Sequence, residues 1–326
     1  MKIINPNAVL LQQPKDTKEL YQFIEKIGRT CYKSENNITE DSAERFVNRL
    51  AENKHYAMLE HGMIYIKWQF PPKGVIPPEG ITIGELNFPK FIKMYDDLIS
   101  GSIRSFLELF SNPKAESLIL ILALNKVLSN KYPLVFNEIP HPSIETSKID
   151  FYITRYDISV INYDTLLDTY NDDVLYKHLV HTVVFTCDRG VSHELVRHRP
   201  CSFAQESTRY CNYSLGKFDN NLTFIKPLFF EEDSYLYDKW ETQMKSSENA
   251  YLDMIAAGAK PQEARSILPN SLKTEIVVTA NEEEWQHILN LRLKGTTGSP
   301  HPQMKEVMEI AYPQLKKASN GRLNID

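Results

Sequence analysis

The alternation of apolar and polar positions predicts a chain that mixes helices with strands. Apolar residues recur at helical spacing in some stretches and at every second position in others. The predicted helices cover residues 17–27, 41–53, 102–110, 114–130, 190–197 and 233–257. The predicted strands cover residues 62–70, 151–164, 182–187 and 274–280.

Residues typical of helix ends refine the C-terminal third of this pattern. Gly258 follows the longest predicted helix and is expected to terminate it. Asn281, with Glu284 three positions later, forms the capping-box pattern that opens a helix. Pro302 favours the first position of a final helix. The strand 274–280 is therefore predicted to lead directly into a capped helix.

Composition excludes several classes of protein. The 326 residues contain 42% apolar and 24% charged residues, which is ordinary for a globular domain. The net charge of −5 argues against a general nucleic-acid binder. The N-terminus lacks the apolar segment of a signal peptide, and the most apolar run, residues 118–124, is too short to cross a bilayer. We therefore expect a soluble cytoplasmic protein with neither nucleic acid nor membrane as partner.

The cysteines and the first histidine cluster suggest neither a disulfide framework nor a metal site. No CxxC pair occurs among the four cysteines, which are Cys31, Cys187, Cys201 and Cys211. Cys201 and Cys211 flank an arginine-rich motif, but no activating base stands beside them, so we interpret them as small buried hydrophobes. The His55-x4-Glu60-His61 spacing fits no common set of ligands. We predict that the chain has no metal site.

The segment 194–210, ELVRHRPCSFAQESTRY, has the chemistry of a ligand pocket. Arg197, Arg199 and Arg209 offer planar donor forks that match phosphate or carboxylate oxygens. Gln205 and Ser207 add neutral donors and acceptors that suit a nucleobase or a ribose. The segment therefore indicates a pocket for a phosphorylated, polar ligand. The alternative is a solvated, salt-bridged helix and turn.

Three separated motifs resemble the flavin-dependent thymidylate synthases. The first is Arg197-His198-Arg199, then seven residues, then Ser207-Thr208-Arg209-Tyr210. The second is Ala264-Arg265-Ser266-Ile267-Leu268-Pro269, and the third is Asn290-Leu291-Arg292. The resemblance covers residues 1–70 and about 179–318. It implies an α+β fold with a largely antiparallel sheet flanked by long helices, and a single domain, 1–326, interrupted by an insertion at about 71–178.

The resemblance also implies a reaction. Members of this family convert dUMP to dTMP with methylenetetrahydrofolate as carbon donor, while NADPH reduces a bound FAD. They assemble as homotetramers whose active sites are shared between subunits. Two alternatives remain at this stage, which are a non-catalytic nucleotide-binding protein of the same fold and an arginine-rich RNA-binding module. The acidic net charge and the lack of interleaved basic and aromatic runs disfavour the RNA-binding module.

Residues that match the family's motifs define the expected site. The implied dUMP contacts are Glu194, Arg197, Gln205, Ser207, Arg209, Arg265 and Arg292. The implied flavin and folate contacts are His55, Glu60, His198, Arg199, Gln205, Asn281, His287 and His301. Arg292 and Ser207 carry the implied catalytic roles, with Ser207 as a ligand contact rather than a nucleophile. Gln205, Ala204 and Glu283 depart from the residues that some members have at these positions.

Arg292 is also singled out by its own position. It follows Trp285, Ile288 and Leu289 at helical spacing, so it lies on or beside an apolar stripe. A charge at the margin of a buried face requires a partner, because an unpaired buried charge is costly. Arg265 lies at a similar margin, and both could simply be side chains whose charged ends reach the solvent.

Overall fold

The computed structural model describes residues 1–69, 91–111, 118–140 and 144–325. It divides into two compact units. Unit 1 comprises Met1–Gln12, Gly28–Asn36 and His181–Asp326, and unit 2 comprises Gln13–Ile27 and Asn37–Val180.

Strands and helices alternate along the described chain. The strands are β1 (Lys2–Ile4), β2 (Asn7–Leu11), β3 (Met63–Lys67), β4 (Ile92–Tyr95), β5 (Leu98–Ser102), β6 (Ser159–Ile161), β7 (Val180–Asp188), β8 (Ser202–Gln205), β9 (Thr223–Ile225) and β10 (Lys273–Asn281). The helices are α1 (Thr17–Tyr32), α2 (Ser42–Glu52), α3 (Ile103–Ser111), α4 (Leu118–Lys131), α5 (Thr146–Arg155), α6 (Tyr163–Thr169), α7 (Asp172–His178), α8 (Arg189–Leu195), α9 (Tyr235–Ala256), α10 (Pro261–Ala264), α11 (Glu282–Leu289) and α12 (Pro302–Ala318).

A four-stranded sheet in the order β2-β7-β10-β8 forms the centre of unit 1. Both outer pairs, β2 with β7 and β10 with β8, are antiparallel. A second, two-stranded sheet pairs β1 with β9 in parallel. The strands predicted at 182–187 and 274–280 are the two inner strands of the larger sheet. The predicted α+β class is confirmed.

Helix α12 packs on this sheet through one apolar stripe. Its buried positions recur at spacings of three and four residues, and they are Met304, Val307, Met308, Ala311 and Leu315. Burying one Met, Val or Leu side chain of this stripe stabilises the fold by about 1.5–3 kcal/mol. Pro302 opens the helix at its first turn, as predicted. Gln314 then fixes its register against β2, because its side chain bonds both the amide of Leu10 and the carbonyl of Ala8.

Helix α9 closes a separate core in unit 1. Met244 and Tyr251 are buried there against Phe224 of β9 and Leu272. The helix ends as predicted, because Gly258 adopts a φ of +99°, a conformation that L side chains rarely adopt.

Unit 2 contains a four-stranded antiparallel sheet in the order β4-β5-β3-β6. Strand β3 was predicted, and the neighbours that pair with both of its edges come from the segment interpreted as an insertion. The described residues of that segment therefore contribute to the core of unit 2, and its status as an insertion stays a prediction. Tyr65 is buried as well as Ile64 and Ile66, because both faces of β3 are covered. Phe70, at the end of the predicted strand 62–70, and residues 114–117, at the start of the predicted helix 114–130, lie outside the described residues.

The strand predicted over 151–164 is largely wrong. Helix α5 extends to Arg155, and only Ser159–Ile161 is a strand. The reason is the burial of Ile149 and Tyr152 on one helical face, with the ring of Tyr156 4.5 Å from that of Tyr152. The predicted helices 17–27, 41–53, 102–110 and 114–130 correspond to α1 to α4. Among the helices in the described part of the chain, none is both long and apolar enough to span a bilayer.

Candidate functional site

Arg292 lies in a distorted turn that continues helix α11. The helix begins where the side-chain oxygen of Asn281 accepts the amide of Glu284 at 2.9 Å, which confirms the predicted cap. Beyond it, Asn290–Lys294 winds as one turn of π-helix and ends at Gly295, whose φ is +78°. Single π turns within helices often mark functional sites because they redirect side chains. Here the turn carries Arg292.

Two partners hold the Arg292 guanidinium. Its Nη1 donates to the Glu194 carboxylate at 2.9 Å, and its Nε donates to Nε2 of His198 at 3.0 Å. Glu194 belongs to α8. Asp188 caps the start of this helix, and its carboxylate accepts the amide of Val191 at 2.8 Å. The positive charge required a partner, and Glu194 provides it. A guanidinium fixed at two points is preorganised, so little reorganisation is needed when it meets a ligand.

His198 is a neutral imidazole at physiological pH. Its side chain is only 6% exposed. Burial, followed by the electrostatic effects of Arg292 and His287, lowers its pKa to about 4. Its Nε2 therefore accepts the Arg292 proton without carrying one of its own. The ring of His287 approaches it edge-on, with centroids 6.2 Å apart.

Glu284 faces these two histidines. Ring nitrogens of His198 and His287 and a carboxylate oxygen of Glu284 all lie within 4.8 Å of one another. Glu284 is 8% exposed, and its Oε1 finds no hydrogen-bond partner among the described residues. Burial, together with the charge of Glu283, raises the pKa of Glu284 to about 7. Three polar groups thus converge without bonding directly to one another.

The arginine motif provides a second group of polar side chains in unit 1. The amide nitrogen of Gln205, on β8, donates to Ser192 at 2.9 Å and to Thr274 at 3.2 Å, which fixes its orientation. Ser207 lies in a turn, where its hydroxyl accepts the amide of Arg209 at 3.3 Å. The Nε of Arg209 donates to the side chain of Gln262 at 3.4 Å.

Aromatic rings lie beside two of the exposed arginines. The guanidinium of Arg209 lies 5.2 Å from the ring centroid of Tyr210, which in turn packs against Tyr32. The guanidinium of Arg199 lies 5.5 Å from the ring centroid of Phe203 and donates to the backbone carbonyl of His198 at 2.8 Å.

None of the four cysteines has the environment of a nucleophile. Burial raises the pKa of the Cys31 and Cys211 thiols to about 11, and it raises the pKa of Cys187 and Cys201 further. A thiol with a raised pKa is poorly nucleophilic at neutral pH.

The comparisons with known proteins agree with the motif. Residues 163–319 match the family model of the thymidylate synthase complementing proteins. The match confirms the resemblance to the flavin-dependent thymidylate synthases, because it spans all three motifs.

Individual relatives carry the same name. A flavin-dependent thymidylate synthase from Pyrococcus furiosus is 36% identical over 149 residues, which cover 45% of this chain and 58% of that protein. One from Thermococcus onnurineus is 37% identical over 124 residues, covering 38% and 50%. One from Corynebacterium aurimucosum is 35% identical over 160 residues, covering 45% and 62%. The chain thus spans less than two thirds of the length of these curated relatives.

A solved structure was also found, that of a UMP/dUMP methylase, PolB, from Streptomyces cacaoi bound with 5-Br dUMP. It aligns with 97% of this chain and 93% of its own, with 13% sequence identity and a TM-score of 0.39. A likeness this distant adds nothing to the evidence from the sequence comparisons.

The structure brings together some of the residues that match the family's motifs. Glu194, His198, His287 and Arg292 form one contiguous group. Arg209 contacts α10 through Gln262, and Arg265 begins the short 3-10 turn that follows α10. The exposed residues of the predicted set in this unit are Arg197, Arg199, Arg209, Arg265, His287 and His301.

Asn281 and His301 each contact a neighbouring part of unit 1. Asn281 uses its side-chain oxygen to cap α11. His301 precedes α12, and its ring lies 5.7 Å from that of Phe229. Contacts of either residue with a flavin stay a prediction.

His55 and Glu60 belong to unit 2. His55 is exposed after helix α2. Glu60 lies in the 3-10 turn Met58–His61 and forms an ion pair with Arg104 of α3, which also pairs with Glu108. Their predicted role at the flavin and folate also stays a prediction.

Glu284 is the main residue of this cluster that the sequence motifs did not indicate. One signal was nevertheless present, because Glu284 and His287 are spaced as Glu-x-x-His within a predicted helix. Residues three apart lie on the same helical face, so both side chains point the same way. The proximity of His198 could not be read from that spacing. Gln262 had no sequence signal.

The residues around His198 fit a flavin. The imidazoles of His198 and His287, the Glu284 carboxyl and the Arg199 guanidinium supply donors and acceptors at the margin of a buried surface. A flavin ring carries both amide and imine groups and an apolar face, so it suits such a mixed lining.

Proposed function

We propose that this chain is a flavin-dependent thymidylate synthase, a methyltransferase that converts dUMP to dTMP. In this proposal methylenetetrahydrofolate donates the carbon and NADPH is the reductant. The observation that supports it most is the double anchoring of Arg292 by Glu194 and His198, at the third of three matching motifs. The family match and the names of the relatives support the same proposal.

The role proposed for Arg292 follows from its electrostatics. Adding a carbon and then a hydride to uracil places negative charge on the ring and its oxygens. A guanidinium held in advance stabilises that charge without having to reorganise during the reaction. Glu194 offsets the charge of Arg292 without removing it. The bonds to Glu194 and His198 keep the donors of Arg292 aligned in the absence of ligand.

The arginine motif would hold the rest of the nucleotide. Arg197, Arg209 and Arg265 are exposed and offer bidentate donors to the dUMP phosphate and ring oxygens. Gln205 and Ser207 would contact the base or the sugar. Ser207 is proposed to bind and not to attack, because its hydroxyl accepts an amide in a turn and bonds no base among the described residues.

The flavin and folate contacts proposed in unit 1 are His198, Arg199, Gln205, Asn281, His287 and His301. His55 and Glu60, in unit 2, are proposed as flavin or folate contacts on the resemblance alone. FAD supplies the hydride when bound, so the protein has to place the reactants and exclude water. His198 serves this as a neutral acceptor, because burial and Arg292 keep it unprotonated. We also expect a homotetramer with shared active sites and a cytoplasmic location, as in the resembled family.

Two measurements on the purified full chain test the proposal. Its absorption spectrum, before and after addition of FAD, should contain flavin bands that persist through gel filtration. Incubation with dUMP, methylenetetrahydrofolate and NADPH should then yield dTMP. Bound flavin and dUMP without dTMP would favour the alternative, a non-catalytic nucleotide-binding protein. A colourless protein that takes up no FAD would disprove the proposal.

A further inference from the structure

Glu284, His198 and His287 form a convergent set of donors that the proposed reaction does not require as a set. Their donor atoms lie within 4.8 Å of one another, and none is hydrogen-bonded to another. Glu284 and His287 come from one face of α11, and His198 comes from the loop after α8. Helix α11 and the loop after α8 therefore bring three donors close together.

Glu284 also carries a buried, unpartnered oxygen. Oε1 of Glu284 finds no hydrogen-bond partner among the described residues, although the side chain is only 8% exposed. Leaving a buried polar atom unpaired costs about 1–3 kcal/mol. A ligand that this oxygen can bind would recover that cost.

From this geometry we propose that His198, Glu284 and His287 form a binding site for one divalent transition-metal ion. Two imidazoles and a carboxylate suit Zn²⁺ or Fe²⁺, whereas Mg²⁺ and Ca²⁺ prefer oxygen ligands throughout. Three protein ligands leave a coordination position for water or a small ligand. This site goes beyond the proposed function, although it shares His198 and His287 with the proposed flavin contacts.

The donors have to move only slightly to bind an ion. Zinc ligands at about 2.0–2.2 Å from the metal are roughly 3.3–3.6 Å apart in a tetrahedron. Donor atoms that lie within 4.8 Å of one another must therefore approach by at most about 1.2–1.5 Å. His287 is exposed, so its ring can make that adjustment by rotation.

Metal binding and the Arg292–His198 hydrogen bond exclude each other. If Nε2 of His198 binds the ion, Arg292 loses its acceptor directly. If Nδ1 binds it, the proton of the neutral ring must be on Nε2, which would then face the Nε–H of Arg292. In both cases Arg292 must turn away. The ion thus disengages the residue that the proposed reaction uses most.

Zinc is the probe for the test, with the metal-free full chain and a chromogenic chelator as competitor. We expect about one zinc per chain in the wild type. Glu284→Gln and His287→Asn should each weaken zinc binding roughly tenfold or more, because each removes a ligand. Glu283→Gln removes the same charge one residue away, and His193→Asn removes an exposed histidine of α8, so both controls should retain wild-type affinity. Circular dichroism checks that every variant is folded.

Any of three outcomes would overturn the site. The first is that the wild type takes up no zinc, and the second is that the ligand variants bind zinc as tightly as the wild type. The third is that the control variants lose as much zinc affinity as the ligand variants. Arg292→Gln adds an independent readout, because removing the competing cation should tighten zinc binding. Unchanged or weaker zinc binding in this variant would contradict the proposed exclusion between the ion and the Arg292–His198 hydrogen bond. The zinc titration needs no flavin, so failure of the proposed enzyme activity leaves this test intact.

Discussion

The Nε–H of Arg292 donates to Nε2 of His198 across 3.0 Å, although the two residues are 94 positions apart in the sequence. The bond requires a neutral imidazole, and burial ensures it by lowering the pKa of His198 to about 4. The same guanidinium binds Glu194 at 2.9 Å. One arginine thus links α8, the loop after it and the π turn after α11.

Replacing Arg292 should separate catalysis from cofactor binding. Arg292→Ala is expected to lower dTMP formation by roughly 10²-fold or more, the scale of one preorganised electrostatic group. Arg292→Lys keeps the charge but cannot make both anchoring bonds, so it should also lose most of the rate. Product assays with saturating dUMP measure the loss.

Flavin bleaching by NADPH under anaerobic conditions is the control for these variants. It should survive in both, because hydride arrival at the flavin does not need charge on the pyrimidine. If flavin content and product formation fall together, Arg292 has a structural role instead. Unchanged dTMP formation would make it a bystander.

Arg209 is predicted to bind dUMP through its forked donors. Arg209→Lys preserves the charge and removes the fork, so a purely electrostatic role would leave affinity nearly unchanged. We expect a loss of about 1–3 kcal/mol in binding free energy, and at least as much for Arg209→Ala. Calorimetric titration of dUMP into flavin-loaded protein measures it, and wild-type affinity in both variants would remove Arg209 from the nucleotide site.

Glu284 and His198 should have opposite effects on how stability changes with pH. The folded-state pKa of Glu284, about 7, exceeds its usual 4.5. Its contribution to the free energy of unfolding is therefore lost as pH rises from 4.5 to about 7. The pKa of His198, about 4, lies below its usual 6.5, so its contribution is lost as pH falls across that interval. The two trends partly offset each other in the wild type.

Glu284→Gln should therefore expose the His198 trend alone. The Tm of this variant should fall more steeply than that of the wild type between pH 6.5 and pH 4. Thermal melts by circular dichroism at several pH values measure it, with the exposed Glu309→Gln as control. Parallel curves for wild type and Glu284→Gln would show that Glu284 titrates as an ordinary exposed carboxyl.

A buried ion cluster should stabilise unit 1 near the C-terminus. Glu282 is fully buried and accepts from Nε and Nη2 of Arg322, at 2.8 and 3.0 Å, and pairs with Nε2 of His181 at 2.8 Å. Arg322→Leu should cost about 3–5 kcal/mol, because it leaves a buried carboxylate poorly compensated. Urea denaturation measures the free energy of unfolding.

The exposed pair of Lys305 and Glu309, at 3.7 Å, is the matched control for the buried cluster. Lys305→Leu should change the free energy of unfolding by less than about 1 kcal/mol. Equal costs for Arg322→Leu and Lys305→Leu would mean that burial does not strengthen the Glu282 cluster.

Local signals in the sequence determined much of unit 1. Helices α9, α11 and α12 follow from apolar spacing together with Gly258, Asn281 and Pro302, because helical period and capping act within a few residues. The inner strands β7 and β10 follow from short apolar runs for the same reason. The motifs also indicated the family, since residue types and spacing carry that information directly.

Tertiary packing decided what local pattern left open. Residues 151–155 have the composition of a strand, yet they complete a helix because Ile149 and Tyr152 are buried on one helical face. The sequence required a partner for Arg292, but only the fold supplied Glu194 and His198, from 98 and 94 residues away. The position of Glu284 beside His198 likewise depends on the tertiary fold. Burial and pairing across such separations depend on how whole elements pack, and that free energy is not encoded in any single stretch of chain.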